Sequence, residues 1–143
     1  MPLTCLLIDD DIDDREIFAL ALEDLGLNCS FLTAKNGVDA LTLLRSNQSL
    51  IPEFIFIDLN MPLLNGKLCL SEIKKIERLH QVPAIIYTTS SHERDIQETR
   101  ELGALHYLVK PASITTLADY LLKLFKNEPL PFLLKEEIRS LHA

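Results

Sequence analysis

At 143 residues, with 48% hydrophobic and 24% charged positions, the chain has the composition of one globular domain with a real core, not of a disordered segment. Its net charge of −7 and pI near 5.0 leave no broad basic field for nucleic acid. Met1-Pro2-Leu3-Thr4 has no basic residue before its apolar run, and no apolar run approaches the ~20 residues of a membrane span, so a soluble, cytoplasmic protein is expected. Cys5, Cys29 and Cys69 are odd in number and show no CxxC spacing, which reads as reduced, mostly buried thiols.

In chain order, Leu3 to Ile8 is a short apolar run ending in Asp9-Asp10-Asp11 and predicts a buried first strand. Ile17, Leu20, Ala21 and Leu25 then fall on one helical face, with Asp13 or Asp14 as N-cap and Gly26 as stop. Asn28 to Thr33 predicts a second strand. Asn36-Gly37 precedes Val38, Leu41 and Leu44, the apolar face of a second helix. Phe54-Ile55-Phe56-Ile57 runs without alternation into Asp58, as expected for a strand covered on both faces of a parallel sheet.

Cys69, Ile73 and Ile76 mark a third helix, with Lys74, Lys75, Glu77 and Arg78 outward. Ala84 to Thr88 predicts a fourth strand behind Pro83. His92 to Leu102 is helical by propensity, but Ile96 and Leu102 are almost its only apolar anchors, so a loosely held helix is expected. Leu105 to Val109 predicts a fifth strand running into Lys110-Pro111. Ile114, Leu117, Ala118, Leu121, Leu122 and Phe125 give the strongest helical period in the chain. After a break at Asn127-Glu128-Pro129-Leu130-Pro131, Leu134, Ile138 and Leu141 stand at helical spacing.

Strands alternating with helices across short loops predict an α/β domain, a doubly wound parallel sheet with helices on both faces. The carboxyl ends of such strands form the rim where ligands bind. Here that rim carries Asp9, Asp10, Asp58, Thr88 and Lys110. Crowded carboxylates raise one another's pKa unless a cation neutralises them, and few hard oxygen ligands suit Mg²⁺ beside phosphoryl oxygens. Acids, a divalent metal, a lysine and a hydroxyl together suit attack of a carboxylate on phosphorus.

Five motifs, in order, resemble the receiver domain of two-component response regulators of the single-domain chemotaxis type. They are Leu6-Leu7-Ile8-Asp9-Asp10-Asp11, Ile57-Asp58-Leu59-Asn60-Met61-Pro62, Asn65-Gly66, Tyr87-Thr88-Thr89 and Tyr107-Leu108-Val109-Lys110-Pro111. The resemblance implies a receiver domain over residues 1–127 and a flavodoxin-like five-stranded sheet in the order 2-1-3-4-5; residues 128–143 lie outside it as a short C-terminal extension whose apolar spacing is helical. It implies that Asp58 accepts a phosphoryl group from a histidine kinase or phosphotransfer protein. It further implies that Asp9, Asp10, Asp58 and the backbone carbonyl of Asn60 hold Mg²⁺, that Lys110 pairs with the phosphoryl group, and that Thr88 and Tyr107 form a coupled switch.

The function expected is a stand-alone phospho-switch in a phosphorelay, working through contact with a downstream protein. It is a monomer or a phosphorylation-dependent homodimer, with no direct nucleic-acid or membrane binding, and it catalyses only its own phosphotransfer and dephosphorylation. Residues 128–143 are too short for an output domain. A small aspartate-nucleophile phosphatase is the second reading; it calls for an acid two residues past the nucleophile, where Asn60 stands, and for a cap domain. A flavodoxin-like electron carrier is the third; it calls for a Ser/Thr/Gly-rich phosphate loop where this chain has acids.

Overall fold

A computed structural model describes residues 3–136. In chain order the elements are β1 (Leu3–Ile8), α1 (Ile12–Asp24), β2 (Cys29–Ala34), α2 (Gly37–Ser46), β3 (Phe54–Ile57), α3 (Gly66–Lys74), β4 (Ala84–Thr88), α4 (Glu93–Glu101), β5 (His106–Val109), α5 (Ile114–Phe125) and β6 (Leu133–Leu134), with a single 3-10 turn at Glu77–Leu79. All strands pair in parallel in the order β2-β1-β3-β4-β5-β6. The expected order 2-1-3-4-5 is therefore present, extended at one edge by a sixth strand. No helix among the described residues is long and apolar enough to cross a membrane.

The sheet divides the core in two. Leu6, Ile8, Ile55, Ile57 and Ile86 point to the side covered by α2 and α3. Leu7, Phe56, Ile85, Tyr87 and Leu108 point to the side covered by α1 and α5. Alternate residues of each strand thus serve opposite layers, which is why β1, β3 and β4 read as continuous apolar runs instead of alternating ones.

Several local expectations are corrected. The buried face of α1 is Phe18, Ala21 and Leu22, while Ile17 and Leu20 are exposed. Phe18 stacks on Phe31 with centroids 5.5 Å apart and meets Phe56 and Tyr87 edge-on at 5.0 and 5.4 Å. Aromatic packing against the sheet decides the rotation of a helix that carries apolar residues on more than one side. Its N-cap is Asp11, whose carboxylate accepts from the amides of Asp13 and Asp14, not Asp13 or Asp14. In α2, Ala40, Leu41 and Leu44 are buried and Val38 is exposed.

Arg78 is not outward: it donates to the carbonyls of Leu44, Asn47 and Leu50 and pins the loop after α2. Lys74 likewise donates to the carbonyls of His80 and Val82. Leu134, placed by its spacing on a helix, lies in β6, where a free sheet edge offers backbone partners that an isolated helical turn lacks. Ile138 and Leu141 lie outside the described residues.

One glycine fixes how the β3–α3 loop closes. A Cβ at Gly66 would lie 2.2 Å from the carbonyl oxygen of Asp58 and 2.7 Å from the Cα of Leu59. The Gly66 amide in turn donates to the carbonyl of Leu59 at 3.0 Å. Gly66→Ala is expected to destabilise the fold by about 2 kcal/mol or more, because backbone, not a flexible side chain, meets the new methyl group. Urea unfolding checks this: the midpoint should fall with little change in slope, and an unshifted midpoint would contradict the close approach.

Candidate functional site

The rim groups stand on rigid backbone. Asp9 follows β1, Asp58 follows β3, Thr88 ends β4 and Lys110 follows β5. Ladder bonds continue past the strand ends: Asp9 N–H donates to Ala34 O at 3.0 Å, Asp58 N–H to Ile8 O at 2.9 Å and Lys110 N–H to Thr88 O at 2.8 Å. The register pairs Ile8 with Ile57, so Asp9 and Asp58 become neighbours one step beyond. The sequence-predicted residues Asp9, Asp10, Asp58, Thr88 and Lys110 are brought to one rim.

Lys110 is the positive centre, with its side chain 8% exposed. Its Nζ lies 2.9 Å from Asp9 Oδ2, 2.7 Å from Asp14 Oδ2 and 3.7 Å from Asp58 Oδ2, and 5.2 Å from the centroid of the Tyr87 ring. Burial alone would lower the lysine's pKa; the close contacts with Asp14 and Asp9 and the charges of Asp58 and Asp9 outweigh it and raise the pKa. Asp9 and Asp58 are both raised, in each case mainly because burial penalises the charged form. Lys110 opposes the rise at both, and at Asp58 the Thr88 hydroxyl and the backbone amides of Leu59 and Asn60 oppose it too.

The site is not internally satisfied. Among the described residues, Asp9 Oδ2 and Thr88 Oγ1 are buried side-chain atoms without a well-formed hydrogen bond. The ammonium is close to Asp9 Oδ2, but the contact is ionic rather than directed. Buried polar groups left in this way point to a ligand's atoms. Asp9, Asp10 and Asp58 each bring a carboxylate oxygen within 4.8 Å of the others, with Asp10 exposed and the other two buried. The donor set is oxygen only and partly open to solvent, as a hydrated hard cation requires.

Tyr107 is buried, and its hydroxyl donates to the carbonyl of Ser90 at 2.9 Å. By strand alternation Thr88 shares a sheet face with Ile86, which pairs with Tyr107. The Ser90 hydroxyl donates to Asp95 Oδ2 at 2.6 Å. Lys67, on the first turn of α3, reaches Asp95 and Glu98 of α4 at 2.7 Å each. These two carboxylates hold Lys67 above its ordinary pKa, and Lys67 and Ser90 hold Asp95 below its own.

Two participants escaped the sequence reading. Asp14 looked like a helix-capping acid, yet it carries the shortest contact to Lys110; no local pattern signals a partner 96 residues away. Gly66 stands in the Asn65-Gly66 motif, and that pair is the sequence signal for the close backbone approach.

Comparison with known proteins fits this geometry. Residues 5–122 match the family model described as the response regulator receiver domain. The chain is 34% identical over 122 residues to the sensor histidine kinase CheAY of Helicobacter pylori, covering 83% of this chain but spanning only 15% of that relative. It is 32% identical over 122 residues to chemotaxis protein CheY-3 of Vibrio cholerae, covering 85% of this chain and 91% of that one. The crystal structure of the Mn²⁺-bound form of Rcp1, a response regulator of Synechocystis, superposes with a TM-score of 0.77 at 26% identity, covering 92% of this chain and 99% of that one. With its parallel sheet, its rim of acids and Lys110 at the end of the fifth strand, the chain belongs to the response regulator receiver domain family.

Proposed function

We propose that this receiver accepts a phosphoryl group on Asp58 from a histidine kinase or phosphotransfer protein, in a reaction that depends on Mg²⁺, and signals through phosphorylation-dependent contact with another protein. One observation carries the reading. A buried carboxylate, Asp58, faces a buried ammonium at 3.7 Å and a buried hydroxyl, Thr88, that interacts with it without a well-formed hydrogen bond. The match over 91% of CheY-3 supports a chemotaxis-type receiver that works through contact with another protein.

The acid cluster fits a divalent cation. Asp9, Asp10 and Asp58 supply clustered oxygens, Asp9 Oδ2 lacks a well-formed hydrogen bond, and the Asn60 carbonyl follows Asp58 closely in the chain. A bound Mg²⁺ would offset charge on the transferring oxygens. The chain's own residues do the rest. A carboxylate oxygen of Asp58 forms the new O–P bond as the donor's N–P bond breaks, and the electron pair stays on the imidazole nitrogen, which takes a proton. Lys110 leans toward the added charge, and the Thr88 hydroxyl donates to a phosphoryl oxygen. Water later attacks phosphorus, the O–P bond breaks, and the Asp58 carboxylate returns.

Incubation with acetyl phosphate and Mg²⁺ should add one phosphoryl mass that hydroxylamine removes, and Asp58→Asn should abolish the gain. Retention of the same mass at the same rate in the variant would move the nucleophile elsewhere.

Mg²⁺ at ten times its Kd should stabilise the fold by about 1.4 kcal/mol, or roughly 3–5 °C in Tm, and Asp10→Ala should remove most of that rise. An equal rise in both proteins would place the ion outside the cluster.

Stability should also depend on pH in a defined sense. The folded pKa values of Asp58 and Asp9 are raised above their unfolded ones, so both groups favour folding when protonated and oppose it once ionised. In the absence of divalent ions Asp58→Asn should therefore be more stable than the parent at pH 7. The gain should shrink as pH falls through the carboxylate range; denaturant midpoints across that range measure it, and a constant difference would contradict the sign.

A further inference from the structure

The tail after α5 docks on the sheet edge at β5, and its attachments reach β5, α4 and the loop after Lys110. Asn127 leaves α5 with φ +54, and Pro129 and Pro131 keep the following backbone extended. Leu133 and Leu134 then pair with Tyr107 and Leu108 of β5, and Leu134 is buried. The Tyr107 amide donates to the Phe132 carbonyl at 2.9 Å, and the His106 ring meets the Pro131 carbonyl at 2.9 Å.

Two further grips lie off the strand. The Arg100 guanidinium of α4 sits 5.1 Å from the Phe132 ring centroid. The amide of Ala112, two residues past Lys110, donates to the Glu136 carboxylate at 2.7 Å. Ahead of these grips, where the chain runs from α5 to Phe132, a cleft of about 470 Å³ lies beside it, bounded by Phe54, Arg100, His106, Leu124, Leu130 and Phe132.

We infer that residues 128–136 are an intramolecular occupant of the β5 edge, and that phosphorylation of Asp58 releases them to open this edge to an extended segment of a partner protein. The inference rests on the phosphoacceptor reading given above. A phosphoryl group at Asp58 draws in Lys110 and Thr88. The Lys110 side chain turns from Asp14 toward the added charge and pulls on the loop beyond the last ladder bond of β5, which Glu136 holds, and Thr88 leads into the loop before α4, whose Arg100 holds Phe132. Both off-strand grips thus shift relative to a β5 strand fixed in the sheet. The two-residue ladder remaining is too short to hold the tail by itself, and the vacated backbone of β5 can then pair with a partner strand. Tail docking and phosphorylation oppose each other, and by linkage each weakens the other by the same factor.

Hydrogen exchange on the full chain, with and without beryllofluoride and Mg²⁺, tests this. Amide shift changes at Asp58 and Thr88 show whether the phosphoryl mimic has bound. With it bound, exchange at the Tyr107 amide and across residues 132–136 should quicken about tenfold, while Leu7 and Phe56 stay protected. The full-length variant Phe132→Ala/Glu136→Ala should bind the mimic severalfold more tightly. Unchanged or slower exchange in the tail, or equal affinity in the variant, overturns the inference and leaves the phosphoacceptor reading standing. Absence of mimic binding in both proteins overturns both.

Discussion

The site is governed by a charge imbalance enforced by the sheet. One buried ammonium, Lys110, is set among the carboxylates of Asp9, Asp14 and Asp58 at 2.9, 2.7 and 3.7 Å. One positive charge does not neutralise three negative ones, and burial makes each uncompensated charge costlier. The raised pKa values of Asp9 and Asp58 follow directly. Left to themselves the side chains would rotate toward water; the ladder bonds of Asp9, Asp58 and Lys110 to neighbouring strands prevent the backbone from yielding. The two core layers on either side of the sheet supply the stability that keeps this crowding in place. A cation beside Asp10 and a phosphoryl group beside Lys110 would each find charge already arranged for it.

Against that rigid rim, α4 is held by weaker means. Thr99 is its one buried residue, and its hydroxyl donates within the helix, to the carbonyls of Asp95 and Ile96. The ties to the rest of the domain are largely polar: Lys67 to Asp95 and Glu98, and the Ser90 hydroxyl to Asp95. Such partly exposed pairs contribute little each and can exchange partners without a core having to repack. Apolar area fixes β3 and β4, whereas ion pairs and one hydroxyl place α4. The contrast locates chemistry on the stiff part and motion on the soft part.

Much of this was legible in the sequence, for a physical reason. A strand covered on both faces must be apolar throughout, so Phe54-Ile55-Phe56-Ile57 and Ala84-Ile85-Ile86-Tyr87 could hardly be read otherwise, and the polar residue ending each run marks the rim. The α1 face was not legible, because Ile17, Phe18, Leu20, Ala21 and Leu22 offer apolar residues in two directions and only the position of Phe31, Phe56 and Tyr87 selects one. Asp14 was hidden among acids that serve as caps, since its partner Lys110 is 96 residues away. Leu134 was misassigned because spacing alone does not reveal a vacant strand edge. What escapes the sequence is long-range pairing; what it carries is local burial.

Tyr107 is where these levels meet. Its amide takes part in the edge pairing with the tail, its ring is buried in the layer shared with α2 and α3, and its hydroxyl satisfies the Ser90 carbonyl in the loop before α4. Burial raises its pKa, so the phenol stays a neutral donor at physiological pH. A donor buried beside a carbonyl resists leaving, because departure strands both partners. The Thr88 hydroxyl, on the same sheet face, is buried without a well-formed hydrogen bond, so a rearrangement at the rim costs it less than leaving Ser90 would cost the phenol.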